Sequence, residues 1–88
     1  MRPDPGARRT RHMPRYFLNI RDQDTLIVDP DGDELPNLDE ARDLALEIIR
    51  DILGRPETYG SARRWSLRSF EITDEAGNVL ATIPFPRV

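Results

Sequence analysis

Cysteine is absent from this 88-residue chain, and so is lysine. The first absence excludes a disulfide framework and thiolate chemistry, and it fits a reducing, cytoplasmic compartment. The second makes arginine the only strongly basic side chain. A bias that covers the whole chain points to genomic codon composition more than to phosphate or carboxylate recognition by planar guanidinium groups. Histidine occurs once, as His12, so a His-centred metal or catalytic site is not expected. No apolar run approaches the ~20 residues that span a bilayer. The start, MRPDPGARRTRHM, is basic but lacks the apolar stretch of a secretion signal. The length allows one domain, with the modest stability of a small core.

What is present is unevenly charged. The net charge of −3 hides a basic start, an acidic middle and a nearly neutral end. Residues 1–21 carry six arginines against one aspartate, and residues 22–57 carry twelve acids against three arginines. Residues 1–12 hold two prolines, a glycine and four arginines but no large apolar side chain beyond the initial methionine. They cannot bury enough surface to offset ordering entropy, so a disordered extension is expected there. A single small domain is expected over 13–88, and Met13 offers an alternative start of translation.

The stretch 14-PRYFLNIR-21 alternates as a strand, with Tyr16, Leu18 and Ile20 on one face and Arg15, Phe17 and Asn19 on the other. The polar break 22-DQD-24 and the apolar 25-TLIV-28 complete a hairpin. A helix is predicted over 38-LDEARDLALEIIRDIL-53, whose apolar residues recur at three- and four-residue steps. Asn37 is its N-cap, with Glu40 in a capping-box position. Gly54 is placed to end it in a left-handed residue, with Pro56 beyond. Leu44 and Leu46 widen its apolar stripe. Residues 54–66 read as a loop. A second hairpin joins 67-LRSFEIT-73 to 79-VLATIPF-85 through a turn in which Gly77 and Asn78 supply positive backbone dihedrals. Pro84 belongs at a strand end or an edge.

These elements predict an α+β fold: a four-stranded antiparallel sheet (β-β-α-β-β) with one amphipathic helix on one face. The helix-side core draws on Tyr16, Leu18, Ile20, Phe70 and Ile72. The other face keeps Phe17, Leu26 or Ile27, and Val79 or Leu80. That is too apolar for a fully wet surface, and makes the face a candidate contact.

Two stretches resemble chemistry. In 29-DPDGDELPNLDE-40, Asp29, Asp31, Asp33 and Glu40 fall at positions one, three, five and twelve of a calcium loop. Such a loop needs glycine at position six, where Glu34 stands. Gly32 is at position four, two prolines restrict the backbone, and a strand precedes it. The sequence therefore favours a Pro-Asp-Gly turn leading into the helix, and no metal or cofactor is expected. The second stretch is 63-RRWSLR-68. Arg63, Arg64 and Arg68 around Trp65 could hold a phosphate backbone and stack a base. Against this, the chain is net acidic, and Trp65 can instead plug the end of the core while the arginines answer the acidic helix. Carboxylate pairs such as Asp39 with Asp43 and Glu47 with Asp51 lie on the polar helix face. A solvated helix face accounts for such pairs, so no catalytic residues are assigned.

Taken together, 13-MPRYFLNIRDQDTLIVDPDGDELPNLDEARDLALEIIRDI-52 and 71-EITDEAGNVLATIPF-85 resemble short bacterial proteins grouped only as a domain of unknown function. The shared pattern is an aromatic-rich first strand, an Asp-x-x-Gly turn followed by Glu-Leu-Pro, an acidic helix containing alanine, and a closing hairpin ending in Pro-Phe. Asp24 departs from the usual glycine of the first turn. The resemblance implies one small domain and carries no activity, ligand or site residue. A looser resemblance, resting on 34-ELPNLDEARDLALEII-49, is to HicB-type antitoxins; it would imply a toxin partner with a basic surface meeting the acidic helix.

The function expected is a small cytoplasmic, non-enzymatic interaction module, homodimeric, with a protein partner or a second copy bound and no membrane contact. The alternatives are a nucleic-acid-binding protein using Arg63, Arg64, Trp65 and Arg68, or a HicB-like antitoxin.

Overall fold

A computed structural model describes residues 13–87; the extension expected at residues 1–12 lies outside them. The chain begins with strand β1 (Arg15–Asp22) and returns as β2 (Thr25–Ile27), with Ile20 facing Ile27 and Arg21 facing Leu26. The turn takes a positive φ of 58° at Gln23, a conformation that glycine adopts at lower cost. Past a short loop, β3 (Asp33–Glu34) rejoins the same edge of β1, opposite Arg15 and Tyr16. This fifth strand corrects the four-stranded expectation. Two charged residues cannot display an alternating pattern, so periodicity carries no signal for it.

Helix α1 (Leu38–Leu53) has the predicted span. Asn37 Oδ1 accepts the Glu40 N–H at 2.9 Å, satisfying one of the donors orphaned at a helix start. Its far end differs from expectation: Gly54 has φ −81°, right-handed rather than left-handed. Its N–H donates to the Arg50 carbonyl at 2.9 Å, and a Cβ there would stand 3.1 Å from that oxygen. Close backbone approach, not handedness, favours glycine at this position. The expected loop then forms two single-turn helices, α2 (Pro56–Tyr59) and α3 (Ala62–Trp65), too short to show a 3.6-residue period. Proline at the first turn opens α2, and Ser61 caps α3.

The last hairpin is β4 (Arg68–Thr73) and β5 (Val79–Pro84). Its turn has a positive φ at Gly77 (89°), and Asn78 does not share it. Every pairing is antiparallel, in the order β2-β1-β4-β5 with β3 beside β1, and a bulge shifts the β4–β5 register at Ile72/Thr73. Helix α1 packs against β1, β4 and β5. Tyr16, Leu18, Phe70 and Ile72 meet Ala41, Ala45, Ile49 and Ile52 in the core, and Ile20 packs against it half-buried. The largest fully buried side chain, Phe85, lies beyond β5. Its ring stacks on Phe70 at 5.6 Å, and its N–H donates to the Arg68 carbonyl at 2.9 Å.

Candidate interaction surfaces

The acidic loop between β2 and β3 is organised around one carboxylate. Asp29 Oδ2 accepts the Leu18 N–H at 3.2 Å, while Oδ1 accepts those of Asp31 and Gly32 at 3.3 and 3.1 Å. The Asp29 N–H in turn donates to Asn19 Oδ1 at 2.9 Å. The side chain thus completes the edge of β1 where the neighbouring strand is interrupted. Gly32, in the wrong place for an ion-wrapping loop, is the residue this turn needs. Its φ is +68°, and a Cβ would come within 2.8 Å of both Phe17 Cε2 and the Tyr16 carbonyl. Arg15 spans the loop from outside, donating to the Asp31 carbonyl and pairing with Glu34 at 3.1 Å. Among the described residues no group of three His, Cys, Asp or Glu side chains converges to hold a metal ion.

The arginine–tryptophan cluster divides in two. Trp65 Nε1 donates to the Tyr59 carbonyl at 2.9 Å, and its ring lies 5.1 Å from that of Phe85. The Arg68 guanidinium sits over the same ring at 4.4 Å and bonds Asp22 at 3.1 Å. Two groups therefore already lie against the surface a base would stack on, and Arg68 answers a strand aspartate rather than the acidic helix. The helix is answered by Arg55, which pairs with Asp51 at 3.0 Å. Arg63 and Arg64 stand apart: both are exposed, and among the described residues neither forms a salt bridge.

The sheet face away from α1 has a polar centre. Arg21 makes a forked pair with Glu71, at 2.9 and 3.3 Å, and Asn19 donates to Thr73 Oγ1 at 3.3 Å. The hydrogen bond that Arg21 donates to the Glu71 carboxylate raises the already high pKa of its guanidinium. The apolar residues expected on this face, Phe17, Leu26 and Val79, border that centre together with Val28. With Asp29, Asp74 and Glu75 they enclose a shallow hollow of about 540 Å³. Its acids outnumber its one arginine, which disfavours a nucleic-acid backbone on this face.

A second concavity, of about 280 Å³, opens between α1 and β2, with Ile20, Ile27 and Val28 on the strand side and Ile48 and Ile52 on the helix side. Residue-type reasoning did not single it out: its helix side is Ile48 and Ile52, whereas Leu44 and Leu46, which widen the apolar stripe, do not line it. Beside it Leu26, Ile27 and Val28 are all exposed, Val28 at 61%. At the opposite edge of the sheet Val79 and Leu80 are also exposed. No helix among the described residues is long and apolar enough to cross a membrane.

Residues 15–86 match the family described as a domain of unknown function (DUF6894). No curated protein and no solved structure matches the chain. None of these comparisons carries the looser resemblance to HicB-type antitoxins.

Proposed function

This chain belongs to the DUF6894 family, and we propose that it is a small non-enzymatic interaction module that makes its contacts through the two edges of its sheet. The observation that carries this reading is the placement of exposed apolar side chains. A third of the chain is charged, yet Leu26, Ile27 and Val28 cluster at one edge and Val79 and Leu80 at the other. Exposed apolar surface gathered at sheet edges marks contact sites. The β2 edge, beside its apolar groove, suits an extended protein segment with apolar side chains. Such a segment would bond the strand and insert into the groove.

The test uses Val28→Asp and Leu80→Asp, both at exposed positions. Each is expected to reduce capture of a protein partner from the native host, or self-association, while shifting stability by less than about 1 kcal/mol. Unchanged capture and unchanged mass in both folded variants would refute the reading.

The alternative is nucleic-acid binding through Arg63 and Arg64, favoured by their exposure and by the absence of an ion pair to either among the described residues. It requires affinity that falls steeply with salt, because phosphate neutralisation releases counterions.

A further inference from the structure

We infer that the β5 edge is a pairing site for a second copy of this chain, joined antiparallel about a two-fold axis near Thr82. This deepens the proposed function by assigning one of its two edges.

The two edges differ in what they can accept. β2 has three residues, and beyond it the edge is interrupted by the Asp29 loop. It lies beside a concave groove, and a concavity cannot be its own complement across a two-fold axis. β5 has six residues, 79-VLATIP-84, and no charge. An edge strand that pairs with its own copy in antiparallel fashion is self-complementary by construction, as an isologous interface requires. Natural edges are usually protected by charges or kept short. Here, among the described residues, only the bulge near Val79 and Pro84 delimit the exposed stretch.

The ladder phase shows which backbone groups remain available. Phe85 N–H donates to the Arg68 carbonyl, so those residues form a hydrogen-bonded pair. Alternation along an antiparallel ladder places Ile83 with Phe70 and Ala81 with Ile72 in the same class. Thr82 and Pro84, lying between, direct their backbone groups to the open edge. Pro84 fits this phase, because its missing N–H falls where β4 needs none. Thr82 offers both a donor and an acceptor there.

The helix supports the same edge. Ile48 faces the β2 groove, and Leu46 lies about 200° of helical rotation away, on the flank toward β5. Leu46 is 43% exposed and Leu80 39%. A partner strand at β5 brings a second α1 alongside, so that Leu46 and Leu80 gain apolar neighbours from the copy.

Sedimentation at high micromolar concentration tests the pairing. The wild-type chain is expected at twice its monomer mass, without weakening as salt is raised. Thr82→Pro removes the outward N–H and leaves the β4 ladder intact, so a folded chain of single mass is expected. Thr82→Lys, which keeps every backbone group, decides the matter if the proline variant fails to fold; it too should run at single mass. Because the chain has no cysteine, Thr82→Cys is expected to cross-link to itself under oxidation, and Thr25→Cys on the β2 edge is not. A monomeric wild-type chain would overturn the inference, as would a double mass unchanged in the folded Thr82 variants. Either result leaves the module reading standing if Val28→Asp still abolishes partner capture.

Discussion

The Asp29 loop and the Arg63–Arg68 stretch are the two places where residue types look most like chemistry, and they differ in how far their polar groups are already engaged. Three backbone N–H groups converge on the Asp29 carboxylate, and Asp29 returns its own N–H to Asn19. In the arginine stretch Trp65 and Arg68 are engaged within the protein, whereas Arg63 and Arg64 project from a single helical turn. Spacing can place the right side chains together, but only the hydrogen-bonding partners show whether they remain available to a ligand.

The largest effect is expected at the engaged end of this comparison. Asp29→Ala strips the acceptor from three N–H groups, one of them within β1, and should cost about 3 kcal/mol. Calcium should not change the loss, so denaturant melts with and without the ion check it. A wild-type chain strongly stabilised by calcium would break the comparison. Trp65→Ala follows. The ring packs on Phe85 but is only half-buried, so about 2 kcal/mol is expected, below the ~3–5 kcal/mol of a fully buried aromatic. A melt unchanged by this substitution would detach Trp65 from the core.

Replacing Arg63 and Arg64 together by alanine should alter stability by less than about 0.5 kcal/mol. Salt-sensitive micromolar binding to single-stranded nucleic acid, lost in that variant, would favour the nucleic-acid reading instead. The smallest effect concerns Asp74, which shapes the β4–β5 turn. Its carboxyl is held below the ordinary aspartate range, first by the Asn78 side-chain amide and then by backbone N–H groups, Asn78's ahead of Ala76's. The stability it contributes is complete above the unfolded aspartate pKa and is lost as the pH falls through the folded value. Amide exchange at Ala76 and Asn78 should therefore lose protection in acid, and Asp74→Asn should remove that dependence.

The main helix and both hairpins were legible because each carries its own period and end signals. Asn37 and the 38–53 stripe specify α1 without help from the rest of the chain. The helix-side core followed from strand alternation, with Ile20 somewhat more exposed than expected. What remained hidden depends on distant partners. β3 exists because Asp29 restores the edge of β1 beside it. Phe85 is buried because α1 and Trp65 leave room for it, although it follows a proline that ends the strand. Gly54 matches a common helix-ending pattern in sequence, but its backbone stays right-handed, and what favours glycine there is the close approach a Cβ would make to the Arg50 carbonyl. The candidate site was partly legible: the four arginine and tryptophan positions are neighbours in sequence, while their division into an engaged pair and an exposed pair required the fold.

The position of β1 has a consequence for time. It pairs locally with β2 across a two-residue turn, yet its other neighbour, β4, arrives only after a long excursion through the helix; Asn19 and Thr73 are 54 positions apart. Two hairpins and a helix can each form within microseconds, but the sheet exists only once the separate hairpins find one another. The entropy of closing so long a loop grows only logarithmically with its length, so the delay is a search rather than a large thermodynamic penalty. Folding should therefore run at the intermediate speeds of mixed α/β domains. Until β4 docks, the inner edge of β1 is open, and that interval is when this small protein is most exposed to pairing with the wrong chain.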